Sequence, residues 1–211
     1  MTLGDLVFIP SFLFVLIWCV RIAVAAARRR WPQMRRSART LAWFGAVYAV
    51  TLIAVSVALP RGIHAPGDRH CFDDWCMAAV SASLGEGAET GCRASPGTRI
   101  WIAVGEVSSV AKRVRQRELG AWLELEDRAG RRYLPCGGPL SRGGEPARAL
   151  ADELGPDESF RVALPFSLPQ AAEPAGLVLR HGAFPGVVII GDDQSFLHTP
   201  ALLRLTVNQR R

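Results

Sequence analysis

The sequence predicts a mainly β protein, a β-sandwich outer domain preceded by a two-helix transmembrane hairpin. Three observations carry this expectation. Two apolar runs of spanning length fill the first 60 residues and enclose an arginine-rich link. From Arg61 onward, short runs with period-two alternation are separated by Gly, Pro and Asp. Four of the five cysteines also fall in that second part.

The first helix is expected over about residues 6–27. It comprises "LVFIPSFLFVLIWCV" and, past Arg21, "IAVAAA". A helix needs about 20 apolar residues to cross the hydrocarbon core, so this run suffices if Arg21 snorkels toward an interface. Pro10 falls within the first two turns, where a missing N–H costs little. The second helix, about residues 40–60, is "TLAWFGAVYAVTLIAVSVALP". The link between them carries Arg28, Arg29, Arg30, Arg35, Arg36 and Arg39. A short loop this basic is retained in the cytoplasm, and Trp31 and Trp43 suit the interface on that side. The start "MTLGD" holds Asp5 and no Lys or Arg, so it can cross. The expected arrangement is a multi-pass cell-membrane protein with its N-terminus and everything after Pro60 outside. A cleaved signal peptide is the rival reading. It normally begins with a positively charged segment, which the first run lacks. The second run is more signal-anchor-like, and a cut near "SVALP" stays open as the alternative.

The hydrophobic fraction of 49% is concentrated in these runs, and much of the +6 net charge sits in the link. Topology accounts for such a block better than nucleic-acid binding does, so no nucleic-acid partner is expected. The bilayer is the expected partner, and the arginines also suit anionic lipid. Small residues such as Ala46, Ala49 and Ala54 would allow packing beside another subunit.

"RGIHAPGD" and Arg69 read as a tether over 61–69, and the outer domain as 70–211. Its strands follow in order. "WCMAAVSASL" alternates weakly. "RIWIAVGEV" puts Ile100, Ile102 and Val104 on one face and Trp101 and Ala103 on the other. "AWLELED", the turn "DRAGRRY" and the return "RRYLPC" predict a hairpin. "ESFRVALPFSLP" alternates through Phe160, Val162, Leu164 and Phe166, with Pro165 marking an edge or a bulge. "GLVLRH", "GVVIIGD" and "ALLRLTV" complete about seven strands, the pattern of a sandwich or barrel. "EPARALADEL" reads as a short helix or an irregular crossover.

Cys19 lies in the first span and reads as a small apolar side chain. An even number of outer cysteines in an oxidising compartment favours disulfides. Cys71 and Cys76 enclose "FDDW". Fully extended, their Cα atoms would lie about 17 Å apart, so a bond between them demands a turn, and Asp-Asp is suitable turn material. The preferred pairing is Cys71 with Cys76 and Cys92 with Cys136. A zinc site would prefer C-x₂₋₄-C. The C-x₄-C spacing with His70 alongside satisfies this, but no second pair follows. A redox pair would prefer C-x-x-C, which is absent.

His181, Asp192, Asp193 and His198 form a second cluster near the C-terminus. Two carboxylates and two imidazoles could hold a metal or serve acid–base chemistry. The simpler reading is a strand ending at Gly191, with Asp192 and Asp193 turning the chain. Known catalytic frames, among them G-x-S-x-G, the Walker loop and H-E-x-x-H, do not occur. No catalytic residues and no cofactor are expected.

"CFDDWC", "ELGPDESFRVALPFSLP" and "LVLRHGAFPGVVIIGDDQSFLHTP" together resemble the DUF4352-like group of bacterial membrane-attached or secreted domains. The resemblance covers roughly Arg61 to Val207. It implies an immunoglobulin-like β-sandwich on the extracytoplasmic side and transfers no catalytic residue. The expected function is therefore a membrane-anchored, extracytoplasmic binding module, with an envelope protein or other envelope component as partner. A metal-binding or thiol-redox envelope domain using the His, Cys and Asp clusters is the alternative.

Overall fold

The structure is a computed structural model describing residues 3–72, 74–85, 90–142, 144–181 and 186–208. Asp73, expected in the first turn, and residues 182–185 lie outside them. The chain divides into two compact units, Met1–Pro60 with Ala183–Thr199, and Arg61–Gly182 with Pro200–Arg211.

The first unit is built on helices α1 (Leu3–Ala27) and α2 (Trp31–Ala58). Both are long and apolar enough to cross a membrane. Their large apolar side chains, such as Leu16, Trp43 and Val50, are exposed. Phe14 packs on Phe44 between them, with ring centroids 4.5 Å apart. The connection is tight. Arg29 has φ 54, and the Arg30 and Arg29 amides reach back to the carbonyls of Ala25 and Ala26 at 2.8 and 2.9 Å. This is a Schellman-type helix end with an arginine in the left-handed position.

The "GVVII" run, expected to be a strand, is instead a 3₁₀ turn over Gly186–Val188 followed by further turns. Its groups find partners other than a sheet. The Tyr48 hydroxyl of α2 donates to the Val188 carbonyl at 2.6 Å, and Ser195 Oγ donates to the Ile189 carbonyl. The segment thus belongs with the helices, where the sequence had grouped it with the outer domain.

The second unit is a β-sandwich. Sheet A has the order β1 (Ile63–His64), β9 (Leu202–Arg204), β8 (Pro174–Arg180), β5 (Trp122–Asp127), β6 (Arg132–Tyr133). Sheet B has the order β10 (Thr206–Asn208), β3 (Trp75–Leu84), β4 (Thr98–Ser109), β7 (Ser159–Pro169), and β2 (His70–Phe72) also pairs with β3. The last strand changes sheets at Leu205, leaving β9 paired with β8 and β10 paired with β3. Met77, Trp101, Val162, Phe166, Leu123, Leu125, Leu177 and Leu203 fill the space between the sheets. Each such side chain contributes about 1.5–3 kcal/mol by leaving water.

Residues 61–69, expected to be a bare tether, carry β1 and an ion pair. Arg61 grips Glu126 of β5 with both terminal guanidinium nitrogens, Nη1 and Nη2, at 2.5 and 2.8 Å, and its Nε donates to the Pro200 carbonyl at 2.8 Å. The "EPARALADEL" segment is an irregular crossover. Leu154 bridges to Gln116, while Leu150 and Leu154 enter the core.

Candidate functional site

Alternation along β4 places Trp101 and Ala103 between the sheets and Ile100, Ile102 and Val104 on the outer face of sheet B. That outer face is covered too. Ile100 and Val104 are buried, and residues 133–142 and 144–147 run along this face. The cover begins at the free edge of β7. There the Cys136 amide donates to the Pro165 carbonyl and the Leu140 amide to the Ala163 carbonyl, both at 2.9 Å. A residue's N–H and C=O point to the same side of a strand, so the N–H that Pro165 lacks would have faced this outer edge. Pro165 therefore leaves the β4–β7 ladder intact.

Two features hold the cover in place. The Cys92–Cys136 disulfide ties it to the segment after β3. Gly137 sits so close to Thr90 that an added Cβ would lie 2.6 Å from the Thr90 carbonyl oxygen. Farther along, Arg142 Nη2 donates to Ser83 Oγ at 2.8 Å, and the Arg142 and Glu145 backbones bond each other. Between cover and sheet runs a groove of about 1030 Å³, lined by Ser83, Thr90, Ile102, Leu140, Arg142 and Asn208 among others. A smaller hollow of about 230 Å³ continues it past Ser81, Val104 and Arg161. Walls that mix Leu84, Ile102 and Leu140 with hydroxyls, an amide and a guanidinium suit a ligand with both apolar and hydrogen-bonding parts. Sequence reasoning missed this site. The signal was present in the two glycine-rich stretches, "GEGAETGC" and "CGGPLSRGG", that abut Cys92 and Cys136.

The Cys71–Cys76 disulfide joins residues directly opposite in the β2–β3 hairpin. Phe72 pairs with Trp75, which leaves residues 73 and 74 as the connection. His70 packs between one other imidazole and the Phe72 ring. Its ring centroid is 4.7 Å from that of His64 and 4.7 Å from Phe72, and Phe72 meets His181 edge-on at 4.3 Å.

The quartet His181, Asp192, Asp193 and His198 is divided. His181 belongs to the sandwich, against Phe72, and the other three lie in the first unit. Asp192 Oδ1 accepts from the Gln194 amide at 2.7 Å, a local turn bond. His198 directs Nε2 toward Asp193 at 3.8 Å and Nδ1 toward the Ser56 carbonyl at 3.1 Å. Neither ring nitrogen faces Ser195, whose hydroxyl is bonded to Ile189. Among the described residues, no three His, Cys, Asp or Glu side chains are grouped to hold a metal ion.

The strongest electrostatics lie on sheet A. Burial raises the proton affinity of Glu126, but hydrogen bonds and charge from Arg61 and Arg132 outweigh it and hold the carboxyl below its usual range. Asp127, also buried, is lowered in the same way. Its burial is outweighed by bonds from the Arg131 amide, the Tyr133 hydroxyl and the Arg131 guanidinium. The Tyr133 hydroxyl is raised in turn by its burial and by Asp127.

No protein-family model matches the chain, and no curated protein matches it. Among solved structures, a secreted protein of Mycobacterium tuberculosis, MPT63, aligns with 59% of this chain and 93% of its own at 11% identity and a TM-score of 0.44. An uncharacterised β-sandwich protein of Clostridium difficile aligns with 58% of this chain and 88% of its own, at 12% identity and a TM-score of 0.37. A conserved hypothetical protein of Bacillus anthracis aligns over 56% of this chain and 88% of its own, at 10% identity and a TM-score of 0.38.

Proposed function

We propose that this chain is a membrane-anchored, extracytoplasmic β-sandwich module that binds a cell-envelope component in the groove over sheet B. The groove carries the reading, a recess of about 1030 Å³ roofed by a chain segment that a disulfide and a hydrogen-bonded arginine hold off the sheet. Pre-shaped recesses with a few fixed polar groups are where ligands bind. Two disulfides in the sandwich favour an oxidising compartment, and the arginine link between the helices favours the opposite side of the membrane. Site-specific photo-crosslinkers at Ser83 and Asn208 of the full chain, expressed in cells, test the reading. A discrete adduct that Arg142→Ala removes, and that a probe at Arg113 does not give, is expected. Indistinguishable patterns from groove and control positions would sink it.

A second reading, a metal-binding or thiol-redox envelope domain, draws on the line of ring contacts from His64 through His70 and Phe72 to His181, beside the Cys71–Cys76 bond. Native and alkylated mass spectrometry of the full chain, purified without chelator, decides it. Stoichiometric metal or alkylation of Cys71 and Cys76 favours it, and neither being seen eliminates it.

A further inference from the structure

We propose that the arginine-rich end of the α1–α2 hairpin is a binding site for the phosphate headgroup of an anionic lipid. The proposal rests on the reading of the hairpin as a membrane anchor. A groove of about 600 Å³ opens between the two helices at this end, lined by Trp18, Arg21, Arg28, Arg30, Arg36 and Thr40 among others. Four guanidinium groups thus border one recess.

The hairpin offers them no counter-charge. From Leu6 to Gly67 the sequence has no Asp or Glu. The acids of the 186–199 segment lie toward the other end of α2, where His198 meets Ser56 and a Cβ on Gly191 would touch Leu59. Four like charges around a recess repel one another, and an anion between them removes that cost. Guanidinium groups also match phosphate oxygens in pairs.

The depth suits a lipid. The 28 residues of α2 measure about 42 Å against a hydrocarbon core of about 30 Å, so its first two turns stand at headgroup level. Arg21 lies about 9 Å below the end of α1. Its guanidinium covers the Trp18 ring at 4.1 Å, an arrangement that shields the stem and keeps the charge at the interface. The left-handed turn at Arg29 brings Arg30 back to the same recess as Arg28. Basic recesses between spans on the cytoplasmic side are suited to phosphorylated headgroups.

The test uses the full chain in neutral detergent, offered equal amounts of phosphatidylglycerol and phosphatidylcholine, with retained lipid counted by native mass spectrometry. A preference for phosphatidylglycerol of about tenfold or more is expected. Replacing Arg28, Arg30 and Arg36 by Gln should abolish it. Replacing Arg29, Arg35 and Arg39 by Gln, which removes the same charge from positions that do not line the groove, should preserve it. Equal loss in both variants, or retention in the first, would overturn the site. The triple variant Arg28→Lys, Arg30→Lys, Arg36→Lys keeps the charge that sets orientation; it should stay inserted and bind more weakly, and unweakened binding counts against the site. Displacement of the lipid by an equal concentration of inorganic phosphate would assign the recess to free phosphate and overturn the lipid. Release of the protein from membranes by alkaline carbonate would instead defeat the anchor reading. Retention in the membrane without lipid preference defeats this proposal alone.

Discussion

Gly137 and Asp127 show how single residues support the sandwich. Gly137 lets the cover approach Thr90 beside the Cys92–Cys136 bond, and an added methyl would collide with the Thr90 carbonyl and press on Pro165. Backbone cannot swing aside like a side chain. Gly137→Ala should therefore destabilise the sandwich by about 1–3 kcal/mol, read from thermal unfolding, and should weaken crosslinking from the groove. Asp127 is buried, with Oδ1 accepting from the Ala129 and Arg131 amides and Oδ2 from Arg131 Nε and Tyr133, all at 2.9 Å. Asp127→Asn keeps the shape, removes the charge and leaves donors facing donors. A loss of about 2–3 kcal/mol at neutral pH is expected. Its gap to the parent should narrow as pH falls below the ordinary Asp value of 3.8, because the parent then protonates as well. A constant gap down to pH 2 would contradict the assignment.

At the scale of elements, the two disulfides do different amounts of work. Cys71–Cys76 closes a loop with a sequence separation of 5, whereas Cys92–Cys136 closes one of 44. Loop-closure entropy assigns them about 2 and about 4 kcal/mol respectively. The double Ser variant at 92 and 136 should thus lower the unfolding midpoint more than that at 71 and 76, and the reverse order would show that local packing of the hairpin dominates. Phe166 of β7 is fully buried in the core, so Phe166→Ala should cost about 3–5 kcal/mol. Such elements were legible in the sequence because alternation reports burial directly. Phe160, Val162, Leu164 and Phe166 face the core as their spacing requires, and "DRAGRRY" makes the β5–β6 turn around Gly130. "GVVII" was not legible. An apolar run of four residues bounded by glycines fits a buried strand and a buried turn equally, and the choice was made by Tyr48, which is 140 residues away in sequence.

For the whole molecule, the lowered carboxyls on sheet A set a pH dependence. Glu126 and Asp127 hold their protons less tightly in the folded state than their ordinary values of 4.5 and 3.8. Their stabilisation is present above those values and is lost as pH falls through the lower folded ones. The sandwich should be stable from neutrality down to about pH 5 and weaken steeply below about pH 4, as followed by near-UV circular dichroism. Glu126→Gln, which unpairs Arg61 and Arg132, should flatten that acid limb. Sidedness belongs to the same scale. A membrane-impermeant maleimide applied to intact cells should label a cysteine placed at Arg113 and spare one placed at Arg35, and the opposite pattern would invert the proposed orientation.

By itself the sequence determined the two apolar helices, the charge of their link, the faces of the long strands and the suitability of Asp-Asp for a turn between Cys71 and Cys76. All of these are local, written in spacing over a few residues. Only the tertiary structure decided what lies opposite what. It placed Arg61 on Glu126, lined up His64, His70, Phe72 and His181, divided His181 from Asp193 and His198, and folded residues 136–142 over sheet B to leave a groove. The physical reason is the same in each case. Periodicity encodes which way a side chain points, whereas the partner it meets depends on how distant segments return to the same sheet.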